Sequence, residues 1–220
     1  MSRKPIGKGL DRFLEVLAVI LLGIATVGTA WCGFQSALWS GESDRITNVA
    51  ADERADANRL FGLATQEISY DASVVASYAQ ASASNNAALQ AFYRSTLVRK
   101  EFVTYLDSWE AQLKAGKTPV NLLEDKTYLD AVLGPYQAAE KQAGVDAKAA
   151  DTAGRTGDLY VLSTVLLAVS LFFAGVTSSF RSPTLRLLLL VACFATLAIS
   201  AGRLADLPVA PGTWALLQSG

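Results

Sequence analysis

The chain has 220 residues, 51% of them hydrophobic and only 18% charged, with 19 basic against 20 acidic side chains and no histidine. Without histidine the commonest general base, the commonest metal ligand and the usual pH switch near neutrality are all absent. A Ser-His-Asp hydrolase is excluded, and no residue set amounts to a reaction centre, so the chain reads as a non-enzyme without cofactor or metal.

Residues 1–12 carry Arg3, Lys4, Lys8 and Arg12 ahead of an uncharged apolar run at 16–34. A helix rising 1.5 Å per residue needs about 20 apolar residues to cross a hydrocarbon core of ~30 Å. Residues 13–36 are therefore expected to form a first transmembrane helix, with its basic flank held in the cytoplasm. Gly28, Thr29 and Ala30 look like a signal-peptide cleavage site. The run is longer than a usual signal h-region, however, and Trp31, Phe34 and Trp39 follow where an interfacial aromatic belt belongs. An uncleaved anchor is the better reading. Cys32 is not expected to carry lipid, because Trp31 stands where a small residue is needed. Trp31, Gln35 and Trp39 form a one-turn ladder at the exit of the span. Interfacial anchoring accounts for the indoles, and Gln35 between them suggests a hydrogen bond to the second or third span. Ala25, Thr29 and Gly33 share one face, as small residues do where membrane helices meet.

Residues 42–158 hold 12 basic and 17 acidic side chains, so this segment is acidic and nucleic acid is not its partner. From 42 to 114 there is no proline and only one glycine, Gly62, which is strong helix composition. One straight helix of that length would reach about 110 Å, whereas the return over 136–158 covers about 35 Å, so the chain must fold back. Ser82, Ser84, Asn85 and Asn86 are the turn-prone cluster; Gly116 with Pro119, and Gly134 with Pro135, are further helix ends. Four helices result, at 42–81, 86–114, 121–132 and 136–157. In the second, Val98, Phe102, Leu106, Trp109 and Leu113 mark one buried face. In the fourth, Tyr136, Ala139, Ala143, Ala147 and Ala150 make a stripe that suits close approach of another helix, as bundle core or as subunit interface. The first is poorly patterned and polar nearly all round at 51–59, as in a solvated extension or a packed array of copies, which leans toward oligomerisation. Glu53, Asp56, Glu67 and Asp71 could be read as a cation site, but no glycine-bearing loop surrounds them, and a solvated face is expected.

Apolar runs at 159–180 and 187–202 follow, expected as transmembrane helices at 159–180 and 187–205 around a cytoplasmic turn at 181–186. Arg181 and Arg186 in that turn agree with the basic N-terminus, because two crossings separate the two clusters. Residues 42–158 and the tail at 206–220 then lie outside. The spans carry no charge between their ends, which argues against a proton relay or a secondary transporter. Ser163, Thr164, Ser170 and Gln35 could line a pore built from several copies, or bond between helices. Ala198 and Gly202 share a face of the third span. Cys32 and Cys193 differ in depth, so no disulfide is expected between them. Arg203 is expected to snorkel outward toward Asp206, and Trp214, Leu216 and Leu217 to lie in the headgroup layer.

The segments 31–42, 157–165 and 171–175, at the two junctions of membrane and outer domain, resemble a bacterial three-span membrane-protein family with a helical extracytoplasmic domain. The resemblance implies a bacterial source and an anchor plus a closing helical pair. It implies no activity, ligand or catalytic residue.

The expected fold is an all-α membrane protein, with three transmembrane helices and an extracytoplasmic helical bundle between the first and second. The expected role is a non-catalytic interaction or assembly protein in the bacterial cytoplasmic membrane. Its partners are the lipid bilayer and either itself, as a homo-oligomer, or another membrane protein. An oligomeric channel and an extracytoplasmic sensor acting through a partner are the alternatives. The four-helix layout between spans is like that of bacterial chemosensory receptors, an analogy of fold alone.

Overall fold

The computed structural model describes residues 7–117, 121, 124–177, 179–180 and 182–213. Arg3, Lys4, the Lys8 side chain, Pro119, Arg181, Trp214, Leu216 and Leu217 lie outside what is described. The described residues are helical and contain no strand. The helices are α1 Gly7–Ala83, α2 Ala87–Phe92, α3 Val103–Lys114, α4 Lys126–Thr177 and α5 Pro183–Asp206; a π-helical turn, Tyr93–Leu97, follows α2. Three of them, α1, α4 and α5, are long and apolar enough to cross a membrane. The chain divides into two compact units, Met1–Thr47 with Ala147–Gly220, and Asn48–Asp146.

In the first unit a few leucines share the interior with small and hydroxyl-bearing residues, while many other large apolar side chains face outward. Leu14, Ala18 and Leu21 of α1 pack against Ala174 of α4 and Leu190 and Cys193 of α5. A second cluster joins Ala25 and Cys32 to Tyr160 and Leu167. Val27, Phe172, Leu188, Val191 and Phe194 are exposed. Water would not tolerate that exterior, whereas lipid tails do, and small residues let helix backbones approach. At three places a glycine sits close against a neighbouring helix. A Cβ at Gly28 would meet Leu167 Cδ1 at 3.1 Å, one at Gly154 would meet Ser43 Oγ at 3.2 Å, and one at Gly157 would meet the Ser36 carbonyl at 3.5 Å. Gly33, Ala198 and Gly202 are exposed in the single chain. Cys32 and Cys193 are both buried and free.

In the second unit α1 ends at the expected turn. Asn85 adopts the left-handed conformation with φ of 53°, and the Asn86 side chain accepts from Leu89 N at 3.0 Å to cap α2. α3 ends before Gly116, whose φ of 69° is the left-handed cap geometry. Two expectations are corrected. The helix expected over 86–114 is interrupted after the π-helical turn, where Val98 is extended with φ −69° and ψ 122°. The interruption turns the chain so that Phe102 and Leu106 reach Tyr78 and Tyr128 in one core, with Val98 and Trp109 at its edge and Leu113 exposed. Phe102 and Tyr105 both meet the Tyr128 ring edge-on, at 5.2 and 5.4 Å. Gly134-Pro135 does not end a helix either: α4 runs through Pro135, merging the third and fourth expected helices. Proline removes the bond to the carbonyl four residues back, and here that residue, Ala131, lies on the exposed side of the helix. The buried face continues on both sides, through Tyr128 before and Ala143 after.

Candidate functional site

Two ionic networks organise the second unit. Asp71 is only 1% exposed. Its Oδ1 accepts from Arg99 Nε at 3.0 Å, and its Oδ2 from Arg99 Nη2 at 2.6 Å and from the Tyr128 hydroxyl at 2.8 Å. Glu67, one turn earlier on α1, pairs with Arg99 Nη1 at 3.2 Å. The bidentate fork is the geometry a guanidinium is built for. The Asp71 hydrogen bond raises the Arg99 guanidinium, and burial followed by Asp71 raises the Tyr128 phenol. The expectation of a solvated carboxylate face therefore fails at Asp71, because the break after the π-helical turn delivers Arg99 onto it.

The second network joins α1, α2, the π-helical turn and α3. Glu110 accepts from the Tyr78 hydroxyl and from Arg94 Nη1 at 2.9 Å; Arg94 also grips Asp107, and Gln90 Nε2 donates to the Tyr78 oxygen at 3.0 Å. Burial, then Glu110, raises the Tyr78 phenol. Each network borders a cleft. One of about 480 Å³ is lined by Glu67, Arg99, Glu101, Tyr105 and Tyr128 among others. The other, of about 440 Å³, includes Gln90, Arg94, Trp109, Glu110 and Lys114. Among the described residues no group of three or more acidic or cysteine side chains is placed to hold a metal.

The polar Ala51–Arg59 stretch also has a buried edge. Ala50, Ala57 and Ala64 recur every seven residues on α1 and are all buried. Within the same unit the rings of Phe61 of α1 and Tyr136 of α4 meet at a tilt of 54°, with centroids 5.1 Å apart. In the expected α4 stripe, Ala143 and Ala150 are buried while Ala139 and Ala147 are half-buried, and Ser43 of α1 donates to the Ala150 carbonyl at 2.9 Å. Ala143 and Ala150 are thus covered by the chain itself, while Ala139 and Ala147 keep open surface. Glu53 has one carboxylate oxygen shut off from solvent without a hydrogen bond. Desolvation, then the nearby Asp146, raises its carboxyl above the ordinary value. Outside the alanine edge, Val49, Phe61, Leu63 and Val145 are 40, 49, 46 and 52% exposed.

In the first unit the Trp31, Gln35 and Trp39 ladder is only partly what was expected. Gln35 is fully buried, but its partners belong to the segment after α5 rather than to a span. Its Oε1 accepts from Ala210 N at 2.8 Å and its Nε2 donates to Thr213 Oγ1 at 3.1 Å. Trp39 Nε1 donates to the Pro208 carbonyl at 3.0 Å, and the Tyr160 hydroxyl donates to the same oxygen at 3.2 Å. Trp31 stays partly exposed beside Phe34. The serines proposed for a pore are committed within the chain: Ser163 donates to Leu159 O, and Ser170 lies 2.6 Å from the Thr196 hydroxyl. Sequence reasoning missed Pro208, Ala210 and Thr213, whose only signal was the pair of prolines, Pro208 and Pro211, in the stretch after α5, and Arg99, which has none. No protein-family model, curated protein or solved structure matches this chain.

Proposed function

We propose that this chain is a non-catalytic assembly protein of the bacterial cytoplasmic membrane, acting as a homo-oligomer or as an accessory subunit through its helical unit on the extracytoplasmic side. The observation that carries the reading is the apolar surface left on α1 and α4 of the second unit, with Val49, Phe61, Leu63 and Val145 each about half exposed. A domain facing water hides such residues in a contact. Val49 and Leu63 are two heptads apart and so lie near one face of α1, which suits another helix of the same kind. The basic residues at 1–12 and at Arg186 support a cytoplasmic N-terminus. Of the charged side chains at the two clefts, Glu67, Asp71, Arg94, Arg99, Asp107 and Glu110 are bound to one another, which suits a scaffold better than a reaction centre.

The test is Leu63→Cys in native membranes with a short bifunctional thiol reagent, Cys32 and Cys193 being buried. Covalent dimers or larger species, or a co-purifying membrane protein, are expected. Monomer alone, with nothing recovered by affinity capture, would end the proposal. A reporter fused at Gly116 should be active on the outer side.

A sensor acting through a partner is the second reading, favoured by the cleft of about 480 Å³ beside Arg99 and Tyr105. Small solutes that raise the melting temperature of the full chain in detergent would support it; no shift across amino acids, amines and carboxylates would remove it.

A further inference from the structure

The cleft of about 480 Å³ in the second unit changes character along its length. Phe61 meets Tyr136, and Asp71 accepts from Tyr128, so α1 and α4 pass each other antiparallel along this wall. Leu60 and Leu63 of α1 therefore lie level with Val132 and Pro135 of α4 at one end. Glu67 lies level with Tyr128 at the other, about 10 Å further along α1. Arg99, paired with Glu67, and Glu101, next to the Phe102 that packs on Tyr128, belong to this second end. The cleft is apolar at one end and charged at the other, and its volume falls within the about 300–1,000 Å³ of small-molecule pockets.

The charged end is acidic. Arg99 has Nε and Nη2 on Asp71 and Nη1 on Glu67, so each of its nitrogens already meets a carboxylate and an incoming anion gains little from it. Glu101 is exposed and meets no cation among the described residues; Lys100 beside it is exposed and lies off the wall. Three carboxylates thus share one guanidinium, and negative charge is left over. Phe102 and Tyr128 are buried, whereas Tyr105 on the same wall keeps open surface, and an aromatic face attracts a cation and repels an anion. We infer that this cleft binds an organic amine with an apolar body. The ammonium lies between Glu67 and Glu101, and the body lies against Leu63, Val132 and Pro135, where burial of its apolar surface adds to the attraction of the charges. The inference rests on the second reading above, that this cleft takes a small solute, and names the class of that solute.

The experiment titrates the full chain in nanodiscs by calorimetry, with empty nanodiscs as the blank, using 2-phenylethylamine, 3-phenylpropionate and methylamine. The first two share a body and differ in charge; the third has the charge without the body. Phenylethylamine is expected to bind more tightly than either of the others by about tenfold or more, a factor equivalent to 1.4 kcal/mol. Glu101→Gln, at an exposed position, should weaken phenylethylamine by about fivefold, the upper range for an exposed ion pair, and leave the melting temperature of the chain unchanged. Ala131→Phe, also exposed and on the wall, places a ring in the cleft and should abolish binding. Tighter binding of phenylpropionate would overturn the inference and leave the second reading standing. Equal affinities for the three solutes, or a Glu101→Gln variant that binds phenylethylamine as wild type does, would overturn the inference as well. If none of the three binds and no solute of the wider panel shifts the melting temperature, the inference and the second reading fall together.

Discussion

Arg99 and Asp71 lie 28 residues apart and meet through two hydrogen bonds, from Nε at 3.0 Å and Nη2 at 2.6 Å, with the carboxylate almost wholly out of water. Everything between them, the end of α1, α2 and the π-helical turn, is a loop closed by this pair. Removing one partner of a buried pair leaves a charge without compensation, at about 3–5 kcal/mol; Arg99 is partly exposed, which puts the cost near the lower end. Arg99→Ala should lower the melting temperature of the full chain in detergent by several degrees. Arg99→Lys should recover only part of that loss, because an ammonium cannot make the fork. Equal melting temperatures for wild type and Arg99→Ala would show that solvent holds Asp71 as well as Arg99 does.

Glu53 gives a pH dependence of definite sign. Its carboxyl is raised above the ordinary value of 4.5 by desolvation and by Asp146. A raised group contributes stability while protonated, below its unfolded value, and loses it as pH climbs through the folded value. Stability tied to Glu53 should therefore fall from about pH 4.5 upward. Glu53→Gln, neutral at every pH, should melt higher than wild type at pH 7.5 and show a flatter profile below it. A variant that melts lower at pH 7.5 and keeps the wild-type slope would refute this.

Gln35 anchors the segment after α5 with one acceptor and one donor. Gln35→Leu leaves the Ala210 amide without its partner in a buried place, at about 1–3 kcal/mol. Hydrogen exchange at 207–213 should accelerate by about tenfold or more, the factor equivalent to 1.4 kcal/mol, while exchange in the middle of α5 stays slow. Unchanged protection at Ala210 would mean that the Trp39 and Tyr160 bonds to Pro208 suffice.

Gly28 and Gly33 differ in what they face although both lie on the first span. Gly28→Val places atoms against Leu167, where even a Cβ has 3.1 Å. Overpacking of that kind costs about 1–3 kcal/mol and should widen the α1–α4 separation. Gly33→Ala meets nothing within 4 Å and should be neutral or slightly stabilising, because alanine is the better helix former. Melting of the two variants side by side tests this, and a damaging Gly33→Ala would point instead to a second copy seated on that face.

The three long apolar helices were legible because span length and the absence of charge are local properties of 20-residue windows. The turn at Ser84 to Asn86 and the stop at Gly116 were legible for the same reason, since capping and left-handed backbone depend on neighbours in sequence. Pro135 misled because its local cost is real but smaller than the gain from a continuous buried face running from Tyr128 to Ala143. The Asp71 site was hidden because its partners, Arg99 and Tyr128, come from distant segments, and a carboxylate on a polar helix looks the same whether water or a guanidinium meets it.

From composition and apolar run length alone, this chain had to be helical and to offer three spans, because a backbone in hydrocarbon must satisfy its own hydrogen bonds. Only the tertiary structure decided that Gln35 binds the tail rather than another span, that Ala143 and Ala150 of the alanine stripe are buried, and that Asp71 is buried. Those outcomes depend on which faces meet, and a periodic pattern names a face without naming its partner.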